Sequence, residues 1–122
     1  MDLNILNKQI GAVSVVALKG RIVLGEGSSA LRERIESLIV DGKKKIVLNM
    51  ANVTYIDSAG LGTLVAAHIS VKEQGTALLL SDLGNKFHEV LQLTRLLTVF
   101  RVYATEAEAI SSFGVTAQAA MA

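Results

Sequence analysis

The stretch NVTYIDSAGLGTLVAAH, Asn52 to His68, decides how this chain is read. A β-branched, strand-like run breaks at Asp57-Ser58, and an apolar pattern at helical spacing follows it, with Leu61, Leu64, Val65 and Ile69 on one stripe that ends at Gly75. A strand-to-helix junction puts the Ser58 hydroxyl at the positive end of a helix, where free backbone amides accept anions. Asp57 or Ser58 can equally be an N-cap, contributing about 0.5–2 kcal/mol to the helix and nothing more. Two further residues sharpen the question. Gly60 and Gly62 lie in the first turns, where glycine costs up to about 1 kcal/mol relative to alanine, so something, a phosphate or a partner surface, must come close to the backbone there.

The same grammar extends in both directions. LNILNK and AVSVVALKG, separated by Gly11, read as two strands turning back on each other. SSALRERIESLIVDG carries Leu31, Ile35, Leu38 and Ile39 at helical spacing, with Ser28 or Ser29 as cap and Gly42 in the left-handed position that ends it. Lys43, Lys44 and Lys45 form a solvated turn, and KKIVLNM is a buried-type strand ending near Asn49, with a short connection to Ser58. TALLLSD is the next strand. Phe87, Val90, Leu91 and Thr94 mark a third helix before the strand LTVFRVY, and Thr105 with Glu108 forms a capping box that starts a last helix running to Gly114. Helices are expected near 28–41, 58–74, 84–95 and 105–113, around one α/β sheet of four or five strands with some parallel pairs. Residues 1–114 form one domain, and VTAQAAMA, 115–122, is a flexible tail.

Composition removes several classes of function. With 122 residues and 51% hydrophobic content the chain can bury a core of its own. A net charge of +1 offers no basic face to a nucleic acid backbone, and the absence of cysteine removes disulfides, thiolate catalysis and thiolate-bound zinc, which suits the cytoplasm. No run reaches the roughly 18–20 apolar residues of a membrane span. A hydrolase nucleophile elbow fails because Ile56 stands two residues before Ser58 where glycine is required. The dinucleotide fingerprint fails because Val65 occupies the third glycine position, and no phosphate-cradling G-x-x-x-x-G-K-[ST] loop is present. His68 on the apolar stripe and His88 at the start of the third helix have no acidic partner at ligand spacing, so they read as packed or surface residues rather than metal ligands.

VTYIDSAGLGTLVAAH, preceded by the pattern G-R-I-x-x-x-x-x-x-x-x-L from Gly20 to Leu31 and followed by GTALLLSDL, resembles a STAS domain of the anti-sigma-factor antagonist type, over about Ile5 to Phe113. The resemblance implies a mixed, mostly parallel sheet of four to five strands with helices packed on one side. It also implies a regulatory switch without cofactor, metal or turnover. The unphosphorylated domain would bind an anti-sigma factor that is itself a serine kinase and so release a sigma factor. Phosphorylation at Ser58 would end the binding, and a metal-dependent serine phosphatase would restore it. Asp57, Ser58, Ala59, Gly60, Leu61 and Gly62 are then the partner-binding segment. The chain departs from the family at Val23, where many members carry an acid, and its nearest acid is Glu26. Two other readings accompany this one: an interaction module of a stress-sensing complex or of a lipid or anion transport system, with Ser58 never phosphorylated, and a small-ligand or nucleotide pocket.

Overall fold

A computed structural model describes residues 3–113; the expected tail at 115–122 lies outside them. The chain runs β1 (Leu3–Ile10), β2 (Val13–Ile22), α1 (Glu26–Val40), β3 (Lys45–Ile56), α2 (Ser58–Glu73), β4 (Ala77–Ser81), α3 (Asn85–Leu93), a short 3-10 turn (Leu96–Thr98), β5 (Arg101–Tyr103) and α4 (Glu106–Ser111). The five strands lie in the order β1-β2-β3-β4-β5. The β1–β2 hairpin is antiparallel and every later pair is parallel.

This order explains where the helices go. Each of α1, α2 and α3 crosses over to the next strand in the same direction, and right-handed crossovers that always step one way lay their helices on one face. On that face Leu18, Leu48 and Leu80 of β2, β3 and β4 pack with Leu31 and Ile35 of α1, Leu64 of α2 and Leu91 of α3. Period-two alternation sends Val13, Val15, Val47 and Leu79 to the opposite face, where Ala109 of α4 covers them. The short last helix therefore closes the second layer from behind the sheet, while the three longer ones form the first.

Helix ends follow the local chemistry closely, with two corrections. Gly42 and Gly75 both hold positive φ, 80° and 75°, at the left-handed position after α1 and α2. The Thr105 hydroxyl accepts from the Glu108 amide at 3.1 Å, capping α4. The expected cap at Ser28 or Ser29 is not used: α1 starts earlier, after Gly25, and Ser28 Oγ donates instead to the Val23 carbonyl at 2.9 Å. This is possible because Gly27 lets the first turn sit against β2, where a Cβ would lie 2.9 Å from the Arg21 carbonyl oxygen. The helix expected to reach residue 95 stops at Leu93, and Arg95 takes the left-handed conformation.

Three more expectations change. LTVFRVY is a strand only from Arg101, because the 3-10 turn takes up Leu96–Thr98. Lys45 opens β3 rather than belonging to the turn before it, with its ammonium over the Phe113 ring. Most consequentially, β3 does not end near Asn49 but runs on to Ile56. Its later half stays paired with β2, through two register irregularities, up to Ile22 opposite Ile56. That extension carries the α2 N-terminus well beyond the end of β4.

Candidate functional site

The site is the junction between the overhanging end of β3 and α2. Asp57 is extended (φ −99°, ψ −178°) and is the N-cap of α2: its Oδ1 accepts from the Gly60 amide at 2.7 Å. Its Oδ2 accepts from the Leu24 amide at 3.1 Å, so one carboxylate ties the β2–α1 loop to the start of α2. The Asp57 amide in turn donates to the Ile22 carbonyl at 3.3 Å. The amides of Gly60 and Leu24 favour the ionised carboxylate and hold the Asp57 pKa below its ordinary range.

With Asp57 in that role, Ser58 is left over. It is the first helical residue, it is exposed, and among the described residues no hydrogen bond occupies its Oγ. The two glycines separate sharply. At Gly60 a Cβ would run into the Ile22 carbonyl, with 2.8 Å to the carbonyl carbon and 3.0 Å to Cγ2, so the close approach inferred from this glycine is made by the chain's own β2. At Gly62 nothing lies within 4 Å of a Cβ and the residue is exposed. It leaves a smooth surface one turn beyond Ser58, on the same side of the helix. Ala59 and Leu61 are half-buried, and Leu61 packs against the core. The side of α2 that meets the core is Gly60, Leu64, Ala67 and Val71, so Ile69, assigned to that stripe from its spacing, is 51% exposed instead.

Sequence reasoning missed Leu24 and Tyr55. Leu24 is 77% exposed, and its amide is bonded to the same carboxylate that caps the helix. Tyr55, opposite Arg21 in the sheet, lies under that guanidinium at 5.7 Å from ring centroid to Cζ. Both are large apolar side chains left exposed on segments that meet the Asp57–Ser58 junction. A leucine in the glycine-flanked VLGEG loop was the available signal, and only a contact between distant segments reveals where it points.

Neither histidine serves Ser58. His68 lies about 15 Å of helix further along α2, with its ring edge-on to Phe100 at 5.3 Å. Burial, helped by Lys72, lowers its pKa. His88 is exposed on α3. Among the described residues no group of three or more His, Cys, Asp or Glu could hold a metal ion, and no helix is long and apolar enough to cross a membrane.

The model of the STAS domain matches residues 4–109. The chain belongs to the STAS domain family. Relatives of this STAS domain are described as anti-sigma factor antagonists. The anti-sigma F factor antagonist of Paenibacillus polymyxa is 23% identical over 115 residues, covering 94% of this chain and 98% of that protein. Among solved structures, an anti-sigma factor antagonist from Mycobacterium paratuberculosis superposes with a TM-score of 0.78 at 23% identity, covering 90% of this chain and 92% of the other. The phosphorylated form of the Bacillus cell fate determinant SpoIIAA superposes at 0.70 with 20% identity, covering 90% and 99%. The mixed, mostly parallel five-stranded sheet is the fold these proteins share.

Proposed function

We propose that this STAS domain is an anti-sigma factor antagonist whose binding is switched off by phosphorylation of Ser58. The observation that carries the reading is the division of labour at the α2 N-terminus. Asp57 does the capping, so the exposed Ser58 hydroxyl has no structural task and is open to modification. Membership of the family, the naming of the Paenibacillus relative and the phosphorylated state of SpoIIAA support it.

The switch works through charge at a surface. Unphosphorylated, Asp57, Ser58, Ala59, Leu61 and Gly62 present a helix start, with Gly60 buried beneath them against β2, that an anti-sigma factor, itself a serine kinase, covers in the cytoplasm. A phosphoserine adds about −1.5 to −2 charges. The α2 dipole and free amides tolerate that charge, so the fold survives. The partner does not tolerate it, because a hydrated dianion beside Asp57 must be desolvated against a surface shaped for a hydroxyl. A metal-dependent serine phosphatase resets the site. The domain acts by binding, and turnover belongs to its partners.

The test compares thermal melts with titrations against the anti-sigma kinase in the presence of ADP or ATP. Because Asp57 is the cap, Ser58→Ala changes stability by no more than about 0.5 kcal/mol and binds irrespective of ATP. Ser58→Asp stays folded and binds weakly. Equal, ATP-insensitive binding by wild type and Ser58→Asp would remove the switch.

A further inference from the structure

The long overhang of β3 leaves an edge to which no other strand pairs among the described residues. Pairing between β3 and β4 stops at Asn49 opposite Ser81, because Asp82 takes a positive φ of 58° and turns the chain away into α3. From Ala51 to Ile56, β3 keeps β2 on one side only. Alternate residues of a strand direct their N–H and C=O groups to opposite sides, so about 20 Å of backbone donors and acceptors face the gap. Among the described residues, the bond from the Ala51 amide to Asn49 Oδ1 at 2.9 Å caps only the beginning of this stretch. Open edges are ordinarily protected by charge, proline or cover. The segment ANVTYI has neither charge nor proline.

Beneath that edge lies a cleft of about 250 Å³ between β3 and α3. Its apolar floor includes Met50, Ile56, Phe87 and Val90. The volume is below the roughly 300–1,000 Å³ of sites that take drug-sized ligands, and suits one or two side chains. Lys86 is the one lining residue with a formal charge, and among the described residues it has no ion-pair partner.

We propose that the open side of β3, Ala51–Ile56, binds an extended peptide segment of a partner protein as an added strand. The segment inserts a large aliphatic side chain between Phe87 and Val90 and sets an acidic residue against Lys86. Each part of the occupant is read from a complementary feature: the unpaired backbone requires an extended chain, the cleft an apolar anchor, and the lone ammonium a carboxylate. The inference does not rest on phosphorylation of Ser58.

Two substitutions test it without touching the core. Gly84 lines the cleft at a φ of −73° with nothing within 4 Å of a Cβ, so Gly84→Phe blocks the mouth without backbone strain. Lys86→Glu reverses the charge at an exposed position. A displayed random peptide library is selected on the full chain, and the winning peptides are synthesised and titrated by fluorescence anisotropy. Amide hydrogen exchange is followed with and without each peptide. Selected peptides should alternate in strand fashion, carry an aliphatic and an acidic residue, and protect amides within 51–56. Gly84→Phe should weaken them roughly 10- to 100-fold, as loss of a buried aliphatic side chain does. Selection on Lys86→Glu should replace the acid by a base. Failure to enrich any peptide over the Gly84→Phe background overturns the proposal. So does protection that falls at the start of α2 instead of on β3, an outcome that leaves the anti-sigma reading standing.

Discussion

Gly60→Ala and Gly62→Ala should move stability in opposite directions, although the residues are neighbours in one helix and the substitution is the same. In an unencumbered helix each change gains up to about 1 kcal/mol, because alanine loses less backbone entropy than glycine. Gly62 has that freedom: it lies in the second turn of α2, exposed, with no atom within 4 Å of the new methyl. Gly62→Ala should therefore gain about 0.5–1 kcal/mol, or roughly 2–4 °C in Tm for a domain of this size. At Gly60 the methyl meets the Ile22 carbonyl, which is backbone and already accepts from the Asp57 amide at 3.3 Å. Relief requires separating the α2 N-terminus from the end of β2. That displacement costs about 1–3 kcal/mol of overpacking and about 1 kcal/mol for each hydrogen bond lost, the Gly60–Asp57 cap among them. After the propensity gain, Gly60→Ala should be about 2–4 kcal/mol less stable, with Tm lowered by roughly 8–16 °C. Urea and thermal unfolding followed by circular dichroism measure both. Equal stability of the two variants would refute the close approach of β2 to α2, and with it the rigid platform under Ser58. Binding supplies an independent contrast, because Gly62→Ala should weaken a partner that uses the smooth surface beside Ser58 while the domain itself becomes more stable.

Asp57→Asn should narrow its stability deficit relative to wild type in acid. The Gly60 and Leu24 amides lower the Asp57 pKa, so its contribution is complete above the ordinary carboxylate range and is lost as pH falls through the depressed folded value; urea midpoints at pH 7 and about pH 3 compare the pair. Desolvation pulls the Glu106 carboxyl up, but the Asn49 amide and Lys8 ammonium outweigh it and leave the pKa lowered. Glu106→Gln should accordingly lose stability near neutrality and approach wild type in acid, whereas Lys8→Ala, which breaks a 3.0 Å ion pair of an exposed lysine, should cost less than about 1 kcal/mol. Leu64→Ala empties a fully buried position of α2 and should cost about 2–5 kcal/mol by urea denaturation. Arg95→Gly should stabilise by about 1 kcal/mol in the same assay, because Arg95 is left-handed (φ 64°) just after α3, where glycine carries no Cβ penalty.

Much of this molecule is written locally. The β1–β2 hairpin, the alternation of strand and helix, the ends of α1 and α2 at Gly42 and Gly75 and the cap at Thr105 each depend on residues within a few positions of one another. Their apolar periods and turn residues state them directly. The D-S-A-G-L-G segment likewise marked Ser58 at a helix start, and the structure places it there.

What only the tertiary structure decided depends on partners distant along the chain. Asp57 rather than Ser58 is the cap, and its second oxygen reaches Leu24 across the β2–α1 loop. Gly60 and Gly62 look alike in sequence, and the Ile22 carbonyl alone distinguishes the one that must be glycine from the one that leaves a surface open. β3 runs past Asn49 because β2 continues to pair with it, while Asp82 ends β4 early. α4 covers the back of the sheet because Val13, Val15, Val47 and Leu79 need burial there. Sequence by itself determined which segments become strands and helices, since periodicity and capping are properties of neighbouring residues. The free hydroxyl, the open edge of β3 and the face each helix covers were decided only when strands far apart in sequence came into register, because that register determines which backbone and side-chain groups are used and which are left exposed.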